Sequence, residues 1–367
     1  MSPLGAAPLL LAGALLFSAC SGNTNSSGPA APLPTGQTGS IAALSNTGNC
    51  YVSDPGTSSC SATSYEGTNP ITALATTPTG TQYLYLGDSA GNISYSTVTS
   101  TTPTTATKCL AGANKILALA AGGKTLVYAT SGGIYTETLP CTAGPTLTTS
   151  ISNVSGLTYN ASATVFVGVT SNAQYFICNT SSCPTTNISL PNLQDTSPNI
   201  TAIASDPTAS IVYILSIGSS TNRIYSYYVN GNTLTYLGNY SGTELNYPAG
   251  IALFQGANPT QNYCTSGSCT FMDVTNTGNA TVTQYVLTYS GSGAQTSVSI
   301  YQFNNAYFDC DLINSAAIAA FPTPTSNLLP KPDVFVGEQG TSYGSCMGTS
   351  STASYGNNVT AYTVTGE

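Results

Sequence analysis

The chain has 367 residues, with five basic and thirteen acidic side chains, 24 tyrosines, eleven cysteines, no histidine and no tryptophan. A formal net charge of −8 and a pI near 4.1 repel a phosphate backbone, so nucleic acid is excluded as a partner. The lack of histidine excludes Ser-His-Asp and Cys-His catalysis and histidine metal sites, while the wealth of Thr, Ser, Asn, Gly and Tyr points to an all-β exported protein with a polar, uncharged surface.

In chain order the first element is an apolar run from Leu9 to Phe17, too short to span a bilayer as a helix and of the length of a signal-peptide core. The residues that follow, Phe17, Ser18, Ala19 and Cys20, resemble the lipobox of bacterial lipoproteins, although that pattern prefers Leu where Phe17 stands and no Lys or Arg precedes the run. The resemblance implies cleavage before Cys20, acylation of its sulfur, and attachment to a membrane through lipid without a transmembrane helix. An ordinary secretory signal cleaved nearby is the alternative. Residues 1–19 are therefore expected to be a lipoprotein signal peptide. Residues 20–39 carry no charge and little to bury, which makes them a flexible Gly/Ser/Pro/Asn linker. Ser21, where some bacteria read Asp as an inner-membrane retention signal, directs the expectation to the outer membrane of a bacterial envelope, on its periplasmic face or at the cell surface.

Setting Cys20 aside leaves ten cysteines, an even number suited to disulfides in an oxidising compartment. Cys50 with Cys60, Cys178 with Cys183 and Cys264 with Cys269 each bracket a short polar run, and a turn there brings two Cα atoms within disulfide range. Elimination leaves Cys109 with Cys141 and Cys310 with Cys346, with other connectivities of these four open. Paired CxxC knuckles are missing, so no zinc site is expected.

Residues 40–367 read as a single domain built from a recurring theme: a short strand of small apolar residues, a turn, a second apolar strand, and a third with Tyr or Val in alternation. Ile71 to Pro78, Thr81 to Gly87 and Asn92 to Val98 form one copy, and Ile116 to Ala121, Thr125 to Thr130 and Gly133 to Leu139 the next. Further first strands begin near Val154, Ile200, Ala249 and Ala316, a spacing that fits four strands per propeller blade. Period-2 alternation marks Ile224 to Val229 and Thr281 to Val286 as half-buried strands. With its Pro-x-Gly turn before a Tyr-containing strand, the segment from Ile71 to Val98 resembles repeats of the bacterial YVTN and NHL-like propellers, which implies a β-propeller and leaves function open. The expected fold is thus all-β, a β-propeller with four antiparallel strands per blade. Seven blades are preferred over six, because Ser40 to Tyr65 reads as three strands of an extra blade whose missing strand comes from Asn358 to Val364, closing the ring.

The functional expectation is a binding or scaffolding module at the envelope, monomeric, held to the membrane by its N-terminal lipid, with an unidentified glycan or protein ligand and no cofactor. The alternative is a carboxylate- or divalent-metal-dependent hydrolase of the lactonase type. Its candidate acids are Asp88, Asp206, Asp273, Asp309, Asp311 and Glu338, and it requires several of them to meet at one end of the central channel. Asp206 precedes Pro207 and reads as a turn former, whereas Asp88, Asp273 and Glu338 are placed at or just after second strands, where face loops begin. No catalytic, cofactor or metal residue is assigned. Tyrosines are expected mainly between blades, with a minority exposed for a sugar or protein partner.

Overall fold

The computed structural model describes most of residues 71–307, together with the strands Ile41–Ser45, Gly48–Val52, Ala317–Ala320, Val334–Gly337 and Val359–Tyr362. Five blades each have four antiparallel strands in the order inner to outer. Blade one is Ile71–Thr76, Tyr83–Asp88, Ile93–Thr97 and Thr107–Leu110; blade two is Ile116–Gly122, Thr125–Thr130, Gly133–Thr138 and Thr146–Thr149. Blade three is Val154–Asn160, Val165–Thr170, Gln174–Cys178 and Ile188–Ser189; blade four is Asn199–Ser205, Ile211–Ile217, Asn222–Asn230 and Thr233–Tyr240. Blade five is Pro248–Ala257, Ser268–Asn276, Thr281–Ser290 and Ser297–Tyr307.

The ring is closed by a sheet of different make. Ala317–Ala320 is its inner strand, followed outward by Val334–Gly337, Val359–Tyr362, Ile41–Ser45 and Gly48–Val52. The two ends of the chain pair as the sequence suggests, Ile41 opposite Tyr362 and Leu44 opposite Val359. The expected seven blades, or six, of four strands each are nevertheless corrected to five such blades and this five-stranded closing sheet. The N-terminal hairpin has no inner strand of its own, and Val359–Tyr362 is the third strand of the closing sheet rather than the first of another. Adding the hairpin to that sheet's free edge satisfies the backbone groups of both.

The inner strands explain why small residues recur. Six of them crowd one axis, so each carries Ala or Gly just before its central aliphatic residue: Ala73, Ala118, Gly156, Ala202, Gly250 and Ala317. In all five blades the register slips at one place, between Ile71 and Ala73, Ile116 and Ala118, Val154 and Gly156, Ile200 and Ala202, and Pro248 and Gly250. Such a bulge re-aims the skipped residue. Where that residue is Thr, its hydroxyl reaches the next blade: Thr72 Oγ1 donates to the Ile116 carbonyl at 2.5 Å and Thr201 Oγ1 to the Pro248 carbonyl at 2.8 Å.

Between blades the faces interdigitate as packed sheets do. Val167, Val169 and Ile177 of blade three meet Ile200, Val212, Tyr225 and Tyr227 of blade four, and Tyr213, Leu215 and Ile224 of blade four meet Ile251, Met272 and Tyr285 of blade five. Tyr85, Tyr213, Tyr225, Tyr227 and Tyr285 are fully buried, and each such ring removes roughly 150–250 Å² from water.

Candidate functional site

One large aliphatic residue from each inner strand, Leu74, Leu119, Leu157, Ile203, Ile251 and Ile318, is buried at mid-channel. Together they line both the cavity of about 220 Å³ and the cavity of about 60 Å³. The larger opens at the end where inner strands finish, among Thr76, Tyr159, Ser205, Asp206 and Ala320. The smaller lies where they begin, among Thr72, Ser155, Thr201 and Gly250. These ends are called the exit and entry faces below.

At the exit face the first turn of blades one, three and four is closed by the residue two beyond the Ala, or Thr158, that follows the mid-channel aliphatic. Thr77 Oγ1 accepts the Tyr83 N–H at 3.0 Å, Asn160 Oδ1 the Ala163 N–H at 2.7 Å, and Asp206 Oδ1 the N–H groups of Thr208 and Ala209 at 2.8 and 2.9 Å. Asp206 is thus the turn former that its sequence suggests. Two of these caps also clasp the following blade. Asn160 Nδ2 donates to the carbonyls of Ala209 and Ile211 at 3.1 and 3.2 Å, and Asp206 Oδ2 accepts the hydroxyl of Tyr289, which in turn accepts that of Tyr213 at 3.1 Å. Burial raises the Asp206 carboxyl above its ordinary value of 3.8, against the opposing pull of its hydrogen bonds, and burial likewise raises the phenols of Tyr213 and Tyr289.

The entry face has a matching layer. The second-strand residue opposite the start of each inner strand is Asp88, Thr130, Thr170, Ser216 and Asn276 in blades one to five, all buried. Asp88 Oδ1 accepts the N–H groups of Ala90 and Asn92 at 2.9 and 2.8 Å, Thr130 that of Gly132 at 3.0 Å, and Thr170 that of Gln174 at 3.3 Å. Asp88 therefore does in blade one what threonine does in its neighbours, and its carboxylate is a turn cap. Asp273 is corrected in position: it faces Ala252 within the second strand of blade five, fully buried, with Gln284 Nε2 donating to it at 2.9 Å. The three described acids are accordingly held apart, one at each face and one inside a blade. Asp309, Asp311 and Glu338 lie outside the described residues. No group of three or more His, Cys, Asp or Glu is placed to hold a metal ion among the described residues.

Two acids that the sequence reading passed over hold blades four and five. Asp195 receives Arg223 Nε at 3.0 Å, Ser216 Oγ at 3.1 Å and the Tyr225 hydroxyl at 2.9 Å. Burial together with this carboxylate pushes the Tyr225 phenol up to about 12. Glu244 accepts the hydroxyls of Tyr240 and Tyr285 at 2.8 and 3.0 Å. The available signal for Asp195 was scarcity: an arginine in a chain with five basic residues calls for a partner.

Disulfides join Cys178 to Cys183 and Cys264 to Cys269 within hairpins, and Cys109 to Cys141 between the outer strand of blade one and the turn after the third strand of blade two. Cys50 lies in Gly48–Val52, whose side chains are not described, and Cys20, Cys60, Cys310 and Cys346 lie outside the described residues, as do the expected signal peptide and linker. No helix among the described residues is long and apolar enough to cross a membrane.

The strand order makes this chain a β-propeller. No protein-family model and no curated protein matches it. The likeness to YVTN and NHL-like repeats accordingly stays one of repeat form. Solved structures of similar overall form include the WD40 β-propeller domain of Doa1, at TM-score 0.49 and 11% identity over 89% of this chain and 90% of that one. A protein of unknown function from Bacteroides thetaiotaomicron gives TM-score 0.49 and 11% identity over 88% of this chain and 76% of that one. U3-55K gives TM-score 0.48 and 11% identity over 81% and 96%. At these values the similarity is one of general shape, and the assignment rests on the sheets themselves.

Proposed function

We propose that this chain is an exported, lipid-tethered propeller that serves as a rigid binding or scaffolding module at the bacterial envelope. The observation that carries the reading is the set of cystines, above all Cys109–Cys141, which staples two blades and suits an oxidising compartment. The lipobox-like run ending at Cys20 supplies the anchor, and the uncharged segment to Gly39 the tether. A flexible linker of that length has a root-mean-square reach of roughly 25 Å.

The register of the closing sheet locates Ile41, next to that segment, on the ring. Ile41 stands in one row with Tyr362, Val334 and Ala320, and the Ala320 carbonyl accepts Thr76 Oγ1 at 2.5 Å beside the larger cavity. The tether would thus join the ring at its exit face, and its flexibility leaves either face of the ring open to partners. A ring whose described acids are committed to turns and blade contacts supports binding over proton transfer. Replacing Cys20 by Ser tests the reading: the protein should move from the membrane fraction to the soluble exported fraction, and its persistence in the membrane, or in the cytoplasm, contradicts it.

A further inference from the structure

On the entry face, Tyr247 sits in the connection between blades four and five, one residue before Pro248 opens the inner strand. Its ring is 59% exposed, more than any other exposed large hydrophobic side chain of the described residues, so it contributes little to the core. Its φ of +51° places a bulky residue in the left-handed region, which disfavours a side chain of this size. The backbone is clamped there. The Tyr247 carbonyl accepts the N–H and Oγ1 of Thr277 at 3.1 and 3.0 Å, the Asn246 carbonyl accepts the Gly278 N–H at 3.0 Å, and the Asn246 N–H donates to Asn276 Oδ1 at 3.1 Å. Gly278 is needed for this arrangement, because a Cβ there would come within 2.8 Å of Tyr247 Cδ2 and 2.2 Å of Asn246 Oδ1.

Blade three has the same turn before its inner strand, with Asn153 at φ +58° and its carbonyl accepting the Ser171 N–H at 2.9 Å, so the fold asks for this backbone but not for an aromatic side chain. An exposed ring kept where Asn would sit without strain has the properties of a ligand contact. Three residues further on, Gly250 lines the smaller cavity together with Ser155, whose Oγ is buried with no hydrogen-bond partner. The connections of this face present hydroxyls and amides, from Ser152, Asn153, Asn172 and Thr277, while its charged groups are Lys115 at the start of blade two and groups already engaged within the fold: Asp88 in its turn, Asp195 with Arg223, and Glu244 with the hydroxyls of Tyr240 and Tyr285. One flat ring among hydroxyls and amides, with the nearby charges spent on partners within the fold, matches the apolar C–H face and the hydroxyl edge of a sugar. A protein partner would call for a broader apolar centre. We propose that Tyr247 and the entry rim bind a neutral carbohydrate, which deepens the binding reading above and rests on it.

The test uses the purified mature protein in detergent, with cello-, malto- and chito-oligosaccharides as probes, followed by calorimetry and saturation-transfer NMR. Binding of at least one probe is expected, with the saturation enhancement strongest on the sugar-ring C–H protons that would stack on Tyr247. Tyr247→Asn, a residue at ease with positive φ, should weaken that binding at least tenfold (about 1.4 kcal/mol) while leaving the thermal midpoint unchanged or higher. Tyr247→Gly should behave alike. The inference is overturned if the wild type binds none of the probes, if Tyr247→Asn binds as well as the wild type, or if both variants are less stable, which would make the ring a packing element. Capture of a protein ligand that depends on Tyr247, with no oligosaccharide bound, also overturns it. Because the assay needs no membrane, its failure is distinct from failure of the tether.

Discussion

Asp206 offers a test of how blades four and five are joined. Replacing it by Ala removes the acceptor for two backbone N–H groups at 2.8 and 2.9 Å and for the Tyr289 hydroxyl. The two backbone donors are partly open to water, so each costs near the lower end of the usual 1–3 kcal/mol for an unsatisfied group, and the total should be about 2–4 kcal/mol. Asp206→Asn keeps the turn, because its Oδ1 still accepts both donors, and its Nδ2 can donate to the Tyr289 oxygen. The pH dependence follows from the direction of the shift. Burial raises the folded-state carboxyl above 3.8, so between that value and the folded one the native state binds the proton that the unfolded chain releases. The contribution is therefore complete below 3.8 and is lost as pH rises through the folded value. Urea unfolding of wild type, Asp206→Asn and Asp206→Ala, well below 3.8 and at neutral pH, measures this. Asp206→Asn should gain stability relative to wild type as pH rises, whereas Asp206→Ala should be weaker than Asp206→Asn at both. A stability of Asp206→Asn that falls relative to wild type on raising the pH would mean that the native state prefers the carboxylate, and would refute the argument.

Asn160→Ala should cost about 2–4 kcal/mol in urea unfolding, since it strands the Ala163 N–H and the Ala209 carbonyl at the junction of blades three and four, while the Ile211 carbonyl keeps the Asp206 N–H at 2.9 Å. The double variant Cys109→Ser, Cys141→Ser removes a cystine spanning 32 residues and should lower stability by about 2–4 kcal/mol, measured against the wild type under non-reducing and reducing conditions. Gly122→Ala places a Cβ 2.0 Å from Tyr159 Cγ and should destabilise by about 1–3 kcal/mol; in a Tyr159→Ala background, which has no Cγ, the same substitution should cost less, a coupling that unfolding of the double mutant reads out.

The blades were legible because each inner strand announces itself with small residues, and because Ile224 to Val229 or Thr281 to Val286 alternate with period two. Blade number was harder to read, since the alternation of Ile41–Ser45 and Gly48–Val52 says that they are strands but not which free edge they join. Asp88 seemed a loop acid when read alone. Aligned on the blades, it falls with Thr130, Thr170, Ser216 and Asn276, a row of short polar side chains in which Thr130 and Thr170 cap turns as Asp88 does. Asp273 is flanked by Phe271, Met272 and Val274, which mark a buried strand, but a carboxylate there is legible only once Gln284 of the next strand is known to face it. The clasp between Asp206 and Tyr289 joins residues 83 apart, through a blade packing that no local pattern specifies.

The claim on which the account turns is export with lipid attachment at Cys20 and full oxidation of the remaining thiols. Intact mass of the membrane-extracted protein, with and without reduction and alkylation, tests it most directly. The account predicts a chain beginning at Cys20, carrying a diacyl or triacyl increment, with ten alkylatable thiols that appear only after reduction. A chain without lipid, or thiols that react before reduction, would contradict it.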